Sequence, residues 1–198
     1  MRVLLFTFAI GLLFSGCKPK ITTTITSDDG QTKVTLPSAT TMEAVGNDMQ
    51  KKAEELKKLA PMKLDDLKAM VPEEVMGMKR SSFEANSMMG FANADGEYKK
   101  DDTSKIKLTI MDCAGEAGSA FYTMSYWTKM NIQSENEEGY TKTVDFMGGK
   151  VVEEHKKNNN TNTLTFTAND RLLVTLHGEN IGLDALKDFA RKLNLKVT

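Results

Sequence analysis

The side chains that could carry nucleophilic or acid–base chemistry are few in this chain. Besides Cys17 there is one cysteine, Cys113, and there are two histidines, His155 and His177. A catalytic thiol needs a base and an orienting group, and neither histidine lies in a Gly-x-Ser-x-Gly or His-Glu-x-x-His motif. We therefore predict no catalytic residue and interpret Cys113 as a small buried hydrophobe. A hydrolase or thiol enzyme with an unrecognised site is the alternative.

Methionine is abundant, and two pairs of methionines lie close together in the sequence. Of the 13 methionines, Met76 and Met78 flank a glycine, and Met88 directly precedes Met89. Thioethers are suitable ligands for Cu(I), so a periplasmic copper-binding protein is a further alternative. Other methionines fall on the apolar faces of predicted helices, which indicates general use as core filler. We predict no metal site and no cofactor.

One predicted turn has an unusual composition. The stretch Ser-Met-Met-Gly-Phe, residues 87–91, is apolar where a turn between strands is ordinarily polar. Exposed apolar clusters mark interaction sites, so we predict Met88, Met89 and Phe91 as contacts for a protein partner. The same stretch could instead fold back onto the core, and the sequence leaves these two readings open.

The first 17 residues have a pattern of their own. Arg2 precedes a nearly unbroken apolar run from Val3 to Leu13, and three further residues lead to Cys17. A run of about 11 residues is shorter than the ~20 that a membrane-spanning helix requires. Its length is typical of the hydrophobic region of a signal peptide.

This segment resembles the signal peptide and lipobox of bacterial lipoproteins, in which the cysteine is acylated and becomes the new N-terminus. Phe14 stands where that motif usually has leucine. The resemblance implies a signal peptide over residues 1–16 and attachment of lipid, palmitate included, to Cys17. Lys18 is not the aspartate that retains some lipoproteins in the inner membrane, which favours the outer membrane and a domain facing the periplasm. An ordinary secretory signal with an incidental Cys17 is the alternative.

Charge excludes one class of partner. Removal of residues 1–16 takes away only Arg2 among the charged groups, which changes the formal net charge from −1 to −2. Nucleic-acid binding requires a strongly basic face, so we predict no nucleic-acid partner. With Cys17 acylated, Cys113 has no cysteine left to pair with, and stability must come from packing.

The rest of the chain predicts a tether and one domain. Residues 17–37 are polar and threonine-rich, and we expect them to form the lipidated cysteine and a flexible tether, with an edge strand as the alternative. Residues 38–198 form a single globular α+β domain. A first helix begins near Thr40, where Glu43 completes a capping box, and ends before Pro61.

Hydrophobic periodicity predicts the remaining elements. We expect a short helix over 64–70, strands over 79–85, 90–98 and 105–112, a helix over 117–131, an acidic loop over 135–139, strands over 140–147, 150–156, 162–168 and 171–177, and a helix over 183–193. The apolar face of the third helix is assigned to Ala117, Ala120, Phe121, Met124 and Trp127.

These elements predict an α+β fold, in which an antiparallel sheet of about six to seven strands carries helices in the order α-βββ-α-ββββ-α. This order is similar to that of the PsbP and Mog1 type of fold, a likeness of architecture that implies no function. The functional prediction is a membrane-anchored envelope lipoprotein whose domain is a non-enzymatic module that binds a protein partner or an apolar ligand.

Overall fold

The computed structural model describes residues 23–26, 32–36, 39–88 and 90–197, and side chains within this part from residue 43 onward. The helices are α1 Ala39–Lys57, α2 Leu64–Met70, α3 Gly115–Met124, a 3-10 helix Ser125–Lys129, and α4 Leu183–Lys192. The strands are β1 Thr23–Thr26, β2 Thr32–Leu36, β3 Glu74–Val75, β4 Met78–Met88, β5 Phe91–Lys99, β6 Lys105–Asp112, β7 Ile132–Asn136, β8 Gly139–Phe146, β9 Gly149–Lys156, β10 Thr161–Ala168 and β11 Leu172–Glu179.

The described strands form one antiparallel sheet. Their order across it is β1-β2-β7-β8-β9-β10-β11-β6-β5-β4-β3, and nine of these eleven strands come from the stretch between Glu74 and Glu179. Short connections join most neighbours, whereas α3 and the 3-10 helix carry the chain across the sheet from β6 to β7. The α+β class and the antiparallel sheet with packed helices are confirmed.

The predicted count of six to seven strands is wrong, because the described chain has eleven strands. Two of the additional strands, β1 and β2, lie in the segment predicted as a tether, and two short strands of the domain, β3 and β7, were missed. The predicted order α-βββ-α-ββββ-α is therefore not matched either. β3 precedes β4, and β7 begins before the stretch that we expected to be an acidic loop over 135–139. Asn136 and Gly139 are cross-strand partners, so only two residues turn the chain there. The Asn136 side-chain oxygen accepts hydrogen bonds from the backbone N–H groups of Glu138 and Gly139, each at 3.0 Å. This local cap stabilises a tight turn despite the acidic composition.

One face of the sheet holds the main core, beneath α2 and α4. Alternate residues of β5, β6, β10 and β11 point into it, and α4 contributes Leu186, Phe189 and Ala190. Ile106, Leu108 and Ile110 are fully buried, as the alternation in this strand predicts. The predicted apolar stripe of the last helix is confirmed, with Leu183 and Leu193 partly buried at its ends.

The opposite face carries α1 and α3 over a smaller core of Leu56, Cys113 and Tyr122. Here the predicted buried face of the third helix is wrong at three of its five positions, since Ala120 is exposed and Met124 and Trp127 are 71% and 41% exposed. The other two, Ala117 and Phe121, are partly buried, and Phe121 packs against this smaller core. Gly118 explains the rotation: a Cβ at this position would lie 2.9 Å from the Asp112 carbonyl oxygen. The helix approaches the end of β6 at its glycine, so Tyr122, one turn later, turns towards the sheet.

Helix α1 covers little of the sheet. Leu56 is its one buried apolar residue in the described part, whereas Val45, Met49 and Ala53 are partly buried. The helix ends at Lys57, before Pro61, as predicted. The side chains of Met42 and of the expected capping residue Thr40 lie outside the described ones.

The segment predicted as a tether contains two described strands. β1 and β2 pair with each other, and β2 pairs with β7 at the edge of the sheet. For these two segments the structure has strands where we expected flexible chain, in agreement with the edge-strand alternative. Cys17 and the rest of residues 1–22 lie outside the described residues.

Candidate functional site

Cys113 is fully buried directly after β6. Its backbone N–H donates a 2.9 Å hydrogen bond to the Arg171 carbonyl, which continues the sheet pairing beyond the strand. Burial, followed by the negative charge of the adjacent Asp112, raises the pKa of the thiol from 9.0 to about 12. Reactive cysteines have the opposite environment, because they are partly exposed and electropositive. Cys113 therefore remains a neutral, inaccessible thiol.

The two histidines lie far from Cys113 and on opposite faces of the sheet. Nδ1 of His155 is 2.9 Å from Oδ1 of Asn162, and Nδ1 of His177 is 3.1 Å from Oγ1 of Thr163. Because Asn162 and Thr163 are consecutive in β10, they point to opposite faces. Cys113 is bonded beside Arg171, six residues before His177, which places the thiol roughly 20 Å from that histidine. Within the described part of the chain, Cys113 is therefore not brought together with either imidazole.

Asp112 is a buried carboxylate that the sequence analysis did not single out. Arg171 contacts both of its oxygens, through Nε at 2.7 Å and Nη2 at 2.8 Å. The same carboxylate accepts hydrogen bonds from the backbone N–H groups of Met62 and Ala114, at 2.7 and 3.1 Å. Arg171 also donates to the Ala60 carbonyl at 3.0 Å. With every oxygen satisfied, Asp112 joins the α1–α2 connection to the sheet and has a structural role.

The described methionines of the two pairs, Met76, Met78 and Met88, do not form one thioether site. Met76 lies in the turn between β3 and β4, with a left-handed backbone and an exposed side chain, whereas Met78 is buried in the core. Met78 begins β4 and Met88 ends it, so about 33 Å of strand separates them. Met89 lies outside the described residues. Among the described residues, no group of three or more His, Cys, Asp and Glu side chains could hold a metal ion.

An apolar surface lies where the β4–β5 hairpin meets α3. Met88 and Phe91 are cross-strand partners, and the Phe91 ring contacts Phe121 of α3 with centroids 5.6 Å apart. Met88 is 56% exposed, and Met124, one helical turn after Phe121, is 71% exposed. We call Met88, Phe91, Phe121 and Met124 the hairpin surface. The hairpin thus folds its aromatic residue onto a helix and leaves methionines exposed around it.

Two glycines hold the hairpin against the helix. Gly90 and Gly115 both have left-handed backbones, with φ of 80° and 85°. A Cβ on Gly115 would lie 2.3 Å from the Gly90 carbonyl oxygen, a distance that no side chain allows. This contact between two backbones fixes the start of α3 beside the hairpin, and it therefore sets the position of Phe121 relative to Phe91.

A groove separates α1 from α3 on the same face of the sheet. It measures about 1420 Å³ with its open mouth, and its apolar walls include Met49, Ala53 and Ala120. Charged residues surround it, and Lys57 and Glu116 form a 3.0 Å ion pair at one end. The groove is open to solvent and most of its lining residues are polar, so an apolar ligand would contact apolar side chains over only part of its wall.

Sequence reasoning found part of the hairpin surface and missed the rest. Met88 and Phe91 were predicted as contacts, and the structure places both in the hairpin surface; Phe121 and Met124 were assigned to the core. The spacing of small residues in Gly115-x-x-Gly118-Ser119 was the available signal, because small residues mark the side of a helix that approaches another backbone closely.

No helix in the described part of the chain is long and apolar enough to span a bilayer. No protein family, curated protein or solved structure matches the chain.

Proposed function

We propose that this chain is a membrane-anchored envelope lipoprotein whose domain is a non-enzymatic module that binds a protein partner through the hairpin surface. The proposal places the lipid on Cys17, the anchor in the outer membrane and the domain in the periplasm. Its support for location is the lipobox-like pattern of residues 1–17, which lie outside the described structure. Its support for binding comes from the exposed side chains of the domain.

The observation that carries the binding proposal is the exposure of Met88 and Met124 around the Phe91–Phe121 pair. Large apolar side chains gathered on a surface mark sites of interaction. Methionine is suited to such sites because its unbranched, polarizable side chain adapts to the partner. The aromatic pair beneath is held between a hairpin and a helix, so it offers a rigid base for that contact.

The thiol-enzyme alternative and the copper-binding alternative have less support. A thiol enzyme needs an accessible thiolate, and Cys113 is buried with a raised pKa and lies roughly 20 Å from His177. A copper site built from both methionine pairs needs them together, and β4 holds Met78 and Met88 at opposite ends. An apolar ligand in the groove between α1 and α3 is the second candidate for what the domain binds.

The binding proposal is tested by adding charge to the hairpin surface. The tagged full-length chain, its Met88→Glu and Met124→Glu variants, and Met147→Glu are used to capture proteins from native membranes. We expect Met88→Glu and Met124→Glu each to capture at least about tenfold less partner protein than the parent chain does, because burying an unpaired carboxylate in an interface is costly.

Met147 is the matched control. It is 58% exposed in the β8–β9 turn, and β9 lies four strand spacings from β5, roughly 19 Å away. Its variant should capture as much protein as the parent chain. Equal capture by all four proteins would contradict the proposed contact.

A further inference from the structure

The outer edge of β4 is open over most of its length. β3 pairs only with Met78 and Lys79, and a register shift follows between Arg80 and Ser82. From Ser82 to Met88, no other strand of the described chain pairs with this edge. The stretch has one charged residue, Glu84, and no proline. Exposed edges are ordinarily protected by charges, prolines or short length, so this edge is available for strand addition.

The pairing with β5 determines which backbone groups face outward. Met88 and Phe91 are partners separated by two residues, so they exchange the hydrogen bonds that close the hairpin. Along an antiparallel pair, bonded and non-bonded positions alternate, so Asn86 and Glu84 also bond to β5. The N–H and C=O groups of Phe83, Ala85 and Ser87 therefore point away from the sheet.

We propose that this edge pairs with the same edge of a second copy of the chain, antiparallel, with the two-fold axis at Ala85. Ala85 then faces Ala85 of the second copy, and Phe83 faces Ser87. In this register the outward-facing residues 83, 85 and 87 of one copy lie opposite those of the other. Their free backbone N–H and C=O groups therefore pair across the axis, with about six backbone hydrogen bonds in all.

Side chains select this register over its neighbours. Glu84 faces Asn86 of the second copy twice, and the two are suitable partners, since Oε1 of Glu84 already accepts a 2.8 Å hydrogen bond from Nδ2 of Asn86 within one chain. Moving the axis to Glu84 would place two carboxylates opposite each other, which is destabilising. Moving it to Asn86 would place Glu84 opposite Met88, which offers the carboxylate no hydrogen-bond donor from the second copy.

The occupant is a second copy because the edge is complementary to itself in backbone hydrogen bonding, in the pairing of Glu84 with Asn86 and in the contact of Ala85 with Ala85. Phe83 and Ala85 are partly buried and pack against the main core, and the Arg80 guanidinium lies 4.6 Å from the centroid of the Phe83 ring. Both residues therefore lie at the margin of the core. Pairing about Ala85 brings these margins together across the axis and continues the core from one copy into the other. The hairpin surface lies on the opposite face of the sheet and, apart from Met88, is not part of this contact.

Disulfide cross-linking of the full-length chain tests the register. In Ala85→Cys the two introduced residues face each other with Cα atoms about 5.5 Å apart, within the range of a disulfide. In Ser87→Cys each thiol faces Phe83, and the two cysteines are about 13 Å apart along the strands. We expect Ala85→Cys to form covalent dimers at least tenfold faster than Ser87→Cys. The parent chain, which keeps Cys17 and Cys113, sets the background, and equal rates or no dimer would overturn the proposal.

Charge substitution at Asn86 gives a second test that a folding defect does not imitate. Asn86→Lys forms two cross-strand ion pairs with Glu84, whereas Asn86→Glu sets carboxylates opposite each other twice. Two such pairs change the dimer dissociation constant by roughly 2- to 30-fold, downward for lysine and upward for glutamate. Sedimentation equilibrium of the full-length chain measures this constant, with Met147→Lys expected to match the parent. The same direction of change for both Asn86 variants would overturn the register.

Discussion

At the scale of single residues, burial determines the chemistry that a side chain can perform. Cys113 follows a strand and precedes a helix, a position in which a helix dipole could activate a thiol. The packing of Leu56 and Tyr122 over it removes water instead. Loss of solvation disfavours the thiolate, and the neighbouring carboxylate of Asp112 disfavours it further. Proximity to a helix is thus outweighed by burial.

One prediction at this scale concerns alkylation of the Cys113 thiol. A pKa raised from 9.0 to about 12 lowers the thiolate fraction at pH 8 about a thousandfold. Alkylation of Cys113 in the folded chain should therefore be slow, and unfolding in denaturant should make it fast. Mass spectrometry of the peptide that contains Cys113 measures the rate separately from Cys17. Rapid labelling of the folded chain at pH 7 would revive the thiol-enzyme alternative.

The same pKa has a consequence for stability against pH. The folded state holds the thiol proton more tightly than the unfolded state does, since its pKa is raised. The contribution of Cys113 to stability is therefore fully present below pH 9 and is lost as the pH rises towards about 12. Tyr98 adds to the same alkaline loss, because burial raises its pKa from 10.0 to about 12. Its hydroxyl donates to the Pro72 carbonyl at 2.7 Å.

At the scale of elements, glycines decide how α3 lies on the sheet. Gly115 permits the close backbone contact with Gly90, and Gly118 permits the close contact with the end of β6. Together they turn Tyr122 inward and leave Met124 outward. The apolar stripe of this helix, which its spacing alone predicts to be a core face, is thereby partly exposed and becomes available for binding.

A pair of glycine substitutions tests this role. Gly115→Ala should destabilise the fold by about 1–3 kcal/mol, because a Cβ there meets the Gly90 carbonyl in a left-handed backbone. Gly46→Ala in α1 should stabilise it by up to about 1 kcal/mol, because no atom lies within 4 Å of its new Cβ and alanine favours helix. Urea unfolding of both variants measures the difference. Equal effects would mean that the contact between Gly90 and Gly115 is unimportant.

At the scale of the whole molecule, our proposal assigns attachment and binding to different parts of the chain. Residues 1–17 specify location in our proposal, and the domain supplies the hairpin surface and the β4 edge. The anchor would restrict the domain to the neighbourhood of the membrane, which raises the local concentration of copies and of membrane-bound partners. Weak pairing between the β4 edges of two copies would be favoured under these conditions.

Replacement of the proposed anchor residue tests this arrangement. Cys17→Ser should block lipid attachment, so the chain should accumulate either unprocessed or in the soluble fraction. Acyl chains contribute about 0.8 kcal/mol for each buried CH₂ group, and stable anchoring requires more than one of them. Fractionation with immunoblotting, alongside Cys113→Ser as the control that keeps Cys17, measures the change. Processed Cys17→Ser protein that stays with the membrane would refute the anchor.

The sequence by itself determined the class of the domain, the helices α2 and α4 and the long strands. These follow from periodicity that each segment carries alone, as in the alternation of Ile106, Leu108 and Ile110. It also determined which residues to test for chemistry, because the cysteines, the histidines and the methionine pairs are located directly from the sequence. Short strands such as β3 and β7 were missed because their pairing, and not their composition, makes them strands.

The tertiary structure alone decided which of these residues meet and which are reached by solvent. Spacing identifies an apolar stripe on a helix, but the rotation of the helix depends on where another backbone comes closest, as at Gly118 in α3. The openness of an edge depends likewise on which strands are neighbours. Met88 and Phe91 were therefore visible in the sequence as an unusual turn, whereas Phe121, Met124 and the free edge of β4 required the folded chain.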